Sequence, residues 1–280
     1  MKEWNKKLVT FLVGAYGLFW LTFIVLIALI MTNVVQVNFE GQSYFMDGVK
    51  IFISWTPTMA VLLLRKTLFP QKSVKDIFKG MFAQKLNRRL FFFVLLLESG
   101  IYFLASIVTA LWEHVSIASQ WGFSWQFCIY SFLICLFTGA TGEESGWHGF
   151  LFPHFMEKYG CIRSSVYVGI IWGLWHIPLW IISGYSGIGL VFYIVQFMIC
   201  TIAWSLVMDI LYYWNRNLLI VTTFHFMVNF LLSFFRGNDL VFQVTISILC
   251  VAVAAGFVIL YLKGWNPSYR HILPFVARLD

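Results

Sequence analysis

The chain has 280 residues, of which 60% are hydrophobic, 20% aromatic and 11% charged, and its net charge is +7. So few charges exclude an ordinary soluble domain, in which about a quarter of residues are charged. The apolar runs are continuous rather than alternating, which excludes a β-barrel, and the basic residues lie between those runs, where membrane topology accounts for them better than nucleic acid does.

The fold expected is all-α: a polytopic transmembrane helical bundle forming a single membrane domain over 1–280. A span takes about 20 apolar residues, and about eight segments read as spans by that measure. They are 8–34, 50–64, 90–112, 125–156, 165–183, 189–213, 218–235 and 240–262. The second and seventh are short, and the fourth is long enough to tilt or emerge. The basic start Met1–Lys7 precedes an apolar run longer than a signal-peptide core, with no small-residue cleavage site after it, and predicts a retained first span.

Between the second and third segments, 65–89 carries Arg65, Lys66, Lys72, Lys75, Lys79, Lys85, Arg88 and Arg89 against the single acid Asp76. Basic loops stay in the cytoplasm. Alternation then places both termini there, with Lys158, Arg163, Arg216 and the tail bases Lys263, Arg270 and Arg278. The opposite loops hold Lys50 and Arg236. Within this loop Val74, Ile77, Phe78, Met81 and Phe82 recur at helical spacing opposite a basic face, predicting a helix on the membrane surface. The cysteines Cys128, Cys135, Cys161, Cys200 and Cys250 form no CxxC spacing and read as small buried hydrophobes.

Charged and polar residues within a span mark a functional site by default. Glu143 and Glu144 stand together in the fourth segment, His176 in the fifth, and His225 with Asn229 in the seventh. At 1.5 Å per residue they lie roughly 20, 16 and 10 Å from the cytoplasmic ends of their helices, all in one half of the bilayer. His225 and Asn229 share a helix face at i and i+4, as do Glu144 and His148. Glu143 and Glu144 point about 100° apart and should act differently. Gly142, Gly146 and Gly149 thin the fourth helix for a close neighbour. Gly169 and Gly173 make a packing face of the GxxxG kind beside His176, and Pro178 is expected to kink the helix there. A base, imidazoles and an amide donor are the parts needed to split an amide with water.

The strings EESGWH, WGLWH and HFMVN, in that order on successive membrane segments, resemble the motifs EExxxR, FxxxH and HxxxN of the CAAX protease and bacteriocin-processing (CPBP, or Abi) family. Type II CAAX prenyl endopeptidases are among its members. The flanks GEESGWHGFLFP and WGLWHIPLW look alike too, and the resemblance covers about 125–232. Two residues depart from the pattern. Trp172 replaces the Phe, and His148 replaces an Arg, whose charge is permanent and whose donors form a planar fork.

The resemblance implies an intramembrane endopeptidase without a cofactor. Glu143 would be the general base, helped by His176. His225 and Asn229 would stabilise the oxyanion, and Glu144 would orient the site with support from the position of His148. A zinc ion held by Glu144, His148, His176 and His225 is the alternative chemistry. Glu98, about 12 Å from the cytoplasmic side, is expected to face the same cavity or to pair with His148. Asp209 reads as a partner of Arg216 or a helix cap, and His154 as an interfacial residue. The implied substrate is a peptide or protein tail at a membrane, bacterial plasma membrane by composition, with prenylated tails, bacteriocin self-immunity and peptide processing as the family's uses. Two other readings use the same residues: a scaffold or regulator of a membrane partner with a decayed site, and a transporter's proton relay.

Overall fold

A computed structural model of the chain describes residues 2–34 and 44–266; the tail with Arg270 and Arg278 lies outside the described residues. Helix α1 spans Lys2–Met31. A broken pair, α2 (Tyr44–Ser54) and α3 (Thr56–Leu63), follows, and then the short α4 (Arg65–Leu68) and α5 (Val74–Met81). Next come α6 (Arg88–Glu113), α7 (Trp125–Cys135), α8 (Thr141–Gly146), α9 (Phe152–Trp175) and α10 (Ile177–Ile181). The last three are α11 (Gly187–Asn215), α12 (Leu218–Leu232) and α13 (Asp239–Leu262). Among the described residues the only extended pairings are two isolated bridges, Phe82–Asn217 and Trp121–Phe235.

Five helical runs are long and apolar enough to cross a membrane: Lys2–Met31, Arg88–Glu113, Trp125–Trp175, Gly187–Asn215 and Asp239–Leu262. The third of them corresponds to the fourth and fifth segments of the sequence together. It bends where Gly160 takes φ +70° inside α9. The expected second span is the broken pair α2–α3, and the seventh is α12, only 15 residues long. A helical membrane bundle is therefore present, although the eight segments are unequal.

The ends of the bundle sort by charge. At one end the loop after α5 meets the loop before α12: Asn217 Nδ2 donates to Gln84 O at 2.8 Å and Asn215 Nδ2 to Lys85 O at 3.1 Å. The N-terminal helix joins this end through Trp4, which stacks on His154 with ring centres 4.3 Å apart and lies under the Lys158 ammonium. At the other end Gly122 N donates to Phe234 O and Arg236 N to Gln120 O. The loops that the basic residues assign to the cytoplasm thus share one end.

Two readings of this end change. Helix α5 begins with a capping box at Ser73 and Asp76. These hydrogen bonds from Ser73 hold the Asp76 carboxyl below its usual range. Yet Ile77 and Met81 are buried in the core, and Tyr212 donates to Met81 O. The apolar stripe of α5 is therefore divided: Met81 fills the notch left by Gly149 and packs with Ile77 on the bundle, while Val74 and Phe82 stay exposed. His154 is likewise buried, between Trp4 and Phe150, rather than interfacial.

Small residues set the packing around α8. A Cβ on Gly142 would lie 2.7 Å from Ser54 O, and one on Gly146 would lie 2.4 Å from Pro57 Cβ. The break between α2 and α3 thus seats against the glycine face of α8. Gly169 bears on Ile202 Cα and Gly173 on Met198, so the GxxxG face joins α9 to α11.

Candidate active site

The helical run from α7 to α8 is interrupted at Thr138 (φ −97°, ψ 123°) and Gly139 (φ 80°, ψ −84°). That break frees carbonyl groups that must be satisfied inside the bundle. Phe137 O accepts from Trp55 Nε1 at 2.9 Å, and Leu136 O accepts from the Thr141 hydroxyl at 2.6 Å. Gly139 provides the positive φ, and its missing side chain leaves room for two residues of α12. A Cβ there would stand 2.7 Å from Asn229 Nδ2 and 2.8 Å from His225 Nε2. The i, i+4 pair on α12 therefore converges on the break.

Immediately after the break, α8 presents its two buried carboxylates to different partners. Glu143 Oε2 accepts from Trp172 Nε1 at 2.6 Å and from Trp147 Nε1 at 3.3 Å. Its Oε1 makes no hydrogen bond among the described residues. Glu144 bonds two imidazoles: Oε1 to His225 Nδ1 and Oε2 to His148 Nδ1, each at 2.5 Å. A carboxylate only accepts, so both Nδ1 atoms carry protons and both Nε2 atoms face away from Glu144. The 100° between adjacent helical residues separates the two roles.

His176 falls where α9 ends, at φ −78°, ψ 1°, and Pro178 starts α10 two residues later. Its Nδ1 donates to Trp172 O at 2.8 Å, which leaves Nε2 as an acceptor. The Trp172 indole joins the parts. Its ring centre is 5.2 Å from that of His225, 5.9 Å from His148 and 6.1 Å from His176, while its Nε1 bonds Glu143. Trp172 thus links Glu143, His148, His176 and His225, while His225 and Asn229 approach the break at Gly139 and Glu144 bonds His148 and His225.

Glu98 does not join them. It is fully buried on α6, and its titratable neighbours are Cys200, Cys250 and Tyr102. The carboxylate beside His148 is Asp209 of α11, with Oδ1 3.9 Å from His148 Nε2. Asp209 is fully buried, whereas Arg216 is exposed at the left-handed end of α11, so the expected pairing of those two is absent. The sequence reading missed Trp147 and Gly139 and assigned Asp209 to Arg216 or a helix cap. Trp147 stands four residues after Glu143, a spacing that signals contact. Asp209 is an acid in an apolar span, the signal used for Glu98.

A zinc ion at Glu144 would have to displace its imidazole hydrogen bonds. Both Glu144 oxygens are occupied by imidazole protons. Among the described residues no three His, Cys, Asp or Glu side chains stand as a metal-holding group.

Comparison with known proteins covers this same part of the chain. Residues 123–231 match the family described as type II CAAX prenyl endopeptidase Rce1-like. Through this segment the chain is similar to that family. Over 113 residues, 39% of the chain, it is 27% identical to CAAX prenyl protease 2 of Methanococcus maripaludis. That match spans 42% of the relative's length. Helices α1 to α6 and α13 lie outside the family match, while the break, both carboxylates, His176, His225 and Asn229 lie within it.

Proposed function

We propose that the chain is an integral membrane endopeptidase that hydrolyses a peptide bond near the cytoplasmic leaflet with water activated by Glu143. The observation that carries this reading is the cluster around Trp172, which bonds the Glu143 carboxylate and borders His176 and His225, with His225 and Asn229 brought together against Gly139. Trp147 and Trp172 fix one Glu143 oxygen and leave Oε1 as the base. His176, whose Nδ1 proton is committed to Trp172 O, offers Nε2 to the same water. His225, protonated on both ring nitrogens and oriented by Glu144, and Asn229 supply donors to the developing oxyanion. Preorganised donors of this kind are the largest usual contribution to acyl transfer, and a general base adds about 10²- to 10⁴-fold. No metal takes part in this mechanism.

The substrate class is a peptide or protein tail held at a membrane. A prenylated CAAX tail is the first candidate, since the matched segment is that of prenyl endopeptidases. Bacteriocin self-immunity and processing of secreted peptides are alternative settings, in a bacterial plasma membrane. The test uses purified protein in lipid nanodiscs with a farnesylated CAAX peptide and peptides lacking the lipid. Cleavage by the wild type, abolished in Glu143→Gln and His176→Ala, supports the reading. An intact biological phenotype in folded Glu143→Gln and His176→Ala cells would instead support the scaffold or regulator role.

A further inference from the structure

Asp209 lies in α11, outside the three motifs, yet its side chain points at the innermost imidazole of the site. Its Oδ1 is 3.9 Å from His148 Nε2, and both side chains are fully buried. Neither Asp209 oxygen nor His148 Nε2 has a hydrogen-bond partner. Ser165 of α9 stands beside Asp209, but its hydroxyl donates to Cys161 O at 3.0 Å. Two unsatisfied buried groups facing each other across one short gap need a common explanation, since each alone is costly to bury. His148 Nδ1 is already bonded to Glu144. A neutral ring would therefore set its Nε2 lone pair against the Asp209 carboxylate, and only a proton between the two makes the contact favourable.

We infer that Asp209 is a positioning residue that holds the His148 imidazole from behind, so that Glu144 is pinned between His148 and His225. This inference rests on the peptidase reading. The sequence Asp209–His148–Glu144–His225 crosses from α11 through the π-helical turn after α8, to α8 itself, and on to α12. It ends at the donor that faces Gly139. An imidazole lacks the permanent charge and five donors of a guanidinium, and a carboxylate behind it provides the orientation that a single ring nitrogen cannot. Other charged groups near His148 are Glu143 and Glu144 on α8, Asp209 on α11 and His225 on α12. Of these it is Asp209 that approaches His148 Nε2.

The experiment is a double-mutant cycle in nanodiscs, with cleavage of the farnesylated peptide and thermal unfolding measured for each protein. The set is wild type, Asp209→Asn, Asp209→Glu, His148→Gln and Asp209→Asn with His148→Gln. The expected result is a kcat about tenfold lower in Asp209→Asn with KM within about twofold. Asp209→Glu, which keeps the charge and shortens the gap, should recover to within about threefold of wild type. The double variant should be no worse than His148→Gln alone. Losses that multiply in the double variant, or equal losses in the Asn and Glu variants, would overturn the inference. A wild type that cleaves nothing would sink the peptidase reading instead, and the unfolding midpoints would then decide the contact. Non-additive midpoints uphold the Asp209–His148 coupling, and additive ones reject it.

Discussion

Glu143 and Trp172 meet at 2.6 Å although they lie 29 residues apart and on different helices. The indole therefore does something that the phenylalanine of the related motif cannot: it donates a hydrogen bond to the carboxylate. One Glu143 oxygen is held by two indoles while the other has no hydrogen bond among the described residues, a division of labour expected of a fixed base. Replacing Trp172 with Phe keeps an aromatic ring among His148, His176 and His225 but deletes this bond. A hydrogen bond to a charged group is worth about 1.5–3 kcal/mol, so Trp172→Phe should lower kcat/KM by roughly 10- to 100-fold. Steady-state cleavage of a farnesylated peptide measures it. Unchanged kinetics would mean that the bond does not hold the base.

The two adjacent glutamates should separate under mutation. Glu144 carries two imidazoles, whereas Glu143 has indole donors at one oxygen. In Glu144→Gln the amide cannot accept from both Nδ1–H groups, so one buried pair is broken, at a cost on the order of 3 kcal/mol. Thermal unfolding in detergent should fall by more than about 5 °C. Glu143→Gln should unfold close to wild type while losing cleavage. A reversed order of stabilities would contradict the assigned roles.

Gly139 should tolerate no side chain. Its φ of 80° with ψ of −84° is strained for an L-residue, and a methyl would press on Asn229 Nδ2 and His225 Nε2 at 2.7 and 2.8 Å. Displacing donors by about 1 Å costs on the order of 10²-fold. Gly139→Ala should therefore reduce kcat by about that factor. Normal activity in this variant would show that the two donors do not act at the break.

Packing against the glycine face of α8 is a separate matter of stability. Gly146→Ala would put a methyl 2.4 Å from Pro57 Cβ, and overpacking of this sort costs about 1–3 kcal/mol. Gly100 on α6 has nothing within 4 Å of its added methyl. Gly100→Ala should leave the unfolding temperature unchanged or higher, while Gly146→Ala lowers it. Equal unfolding temperatures would refute the close α3–α8 approach.

Zinc chemistry makes the opposite prediction from a carboxylate base. With Glu144 saturated by imidazole protons, cleavage should survive prolonged treatment with a strong chelator such as 1,10-phenanthroline. Loss of activity on chelation, restored by added zinc, would replace the proposed mechanism.

Much of this site is legible in the sequence because helical geometry is local. The i, i+4 spacing aligns Glu144 with His148 and His225 with Asn229, and the angle between neighbours separates Glu143 from Glu144. The charge distribution likewise anticipates which loops share an end. Long-range partners are different. Nothing local distinguishes Glu98 from Asp209, since each is a lone acid in an apolar span; only the packing of α11 against α9 decides which one meets His148. The helix break is also hidden, because Thr138 and Gly139 look unremarkable until Trp55 and Thr141 take up the freed carbonyls. The stripe on α5 has the period of a surface helix, but Gly149 opens a notch that Met81 fills, and periodicity cannot tell lipid from protein as the covering partner.

The most direct test of the central claim is peptide hydrolysis in H₂¹⁸O by the purified protein in nanodiscs, followed by mass spectrometry of the products. The wild type should release a fragment with one ¹⁸O in its new carboxylate, and the folded Glu143→Gln protein should release none. Cleavage that persists in Glu143→Gln, or a wild type that cuts neither lipidated nor free peptide, would contradict the account.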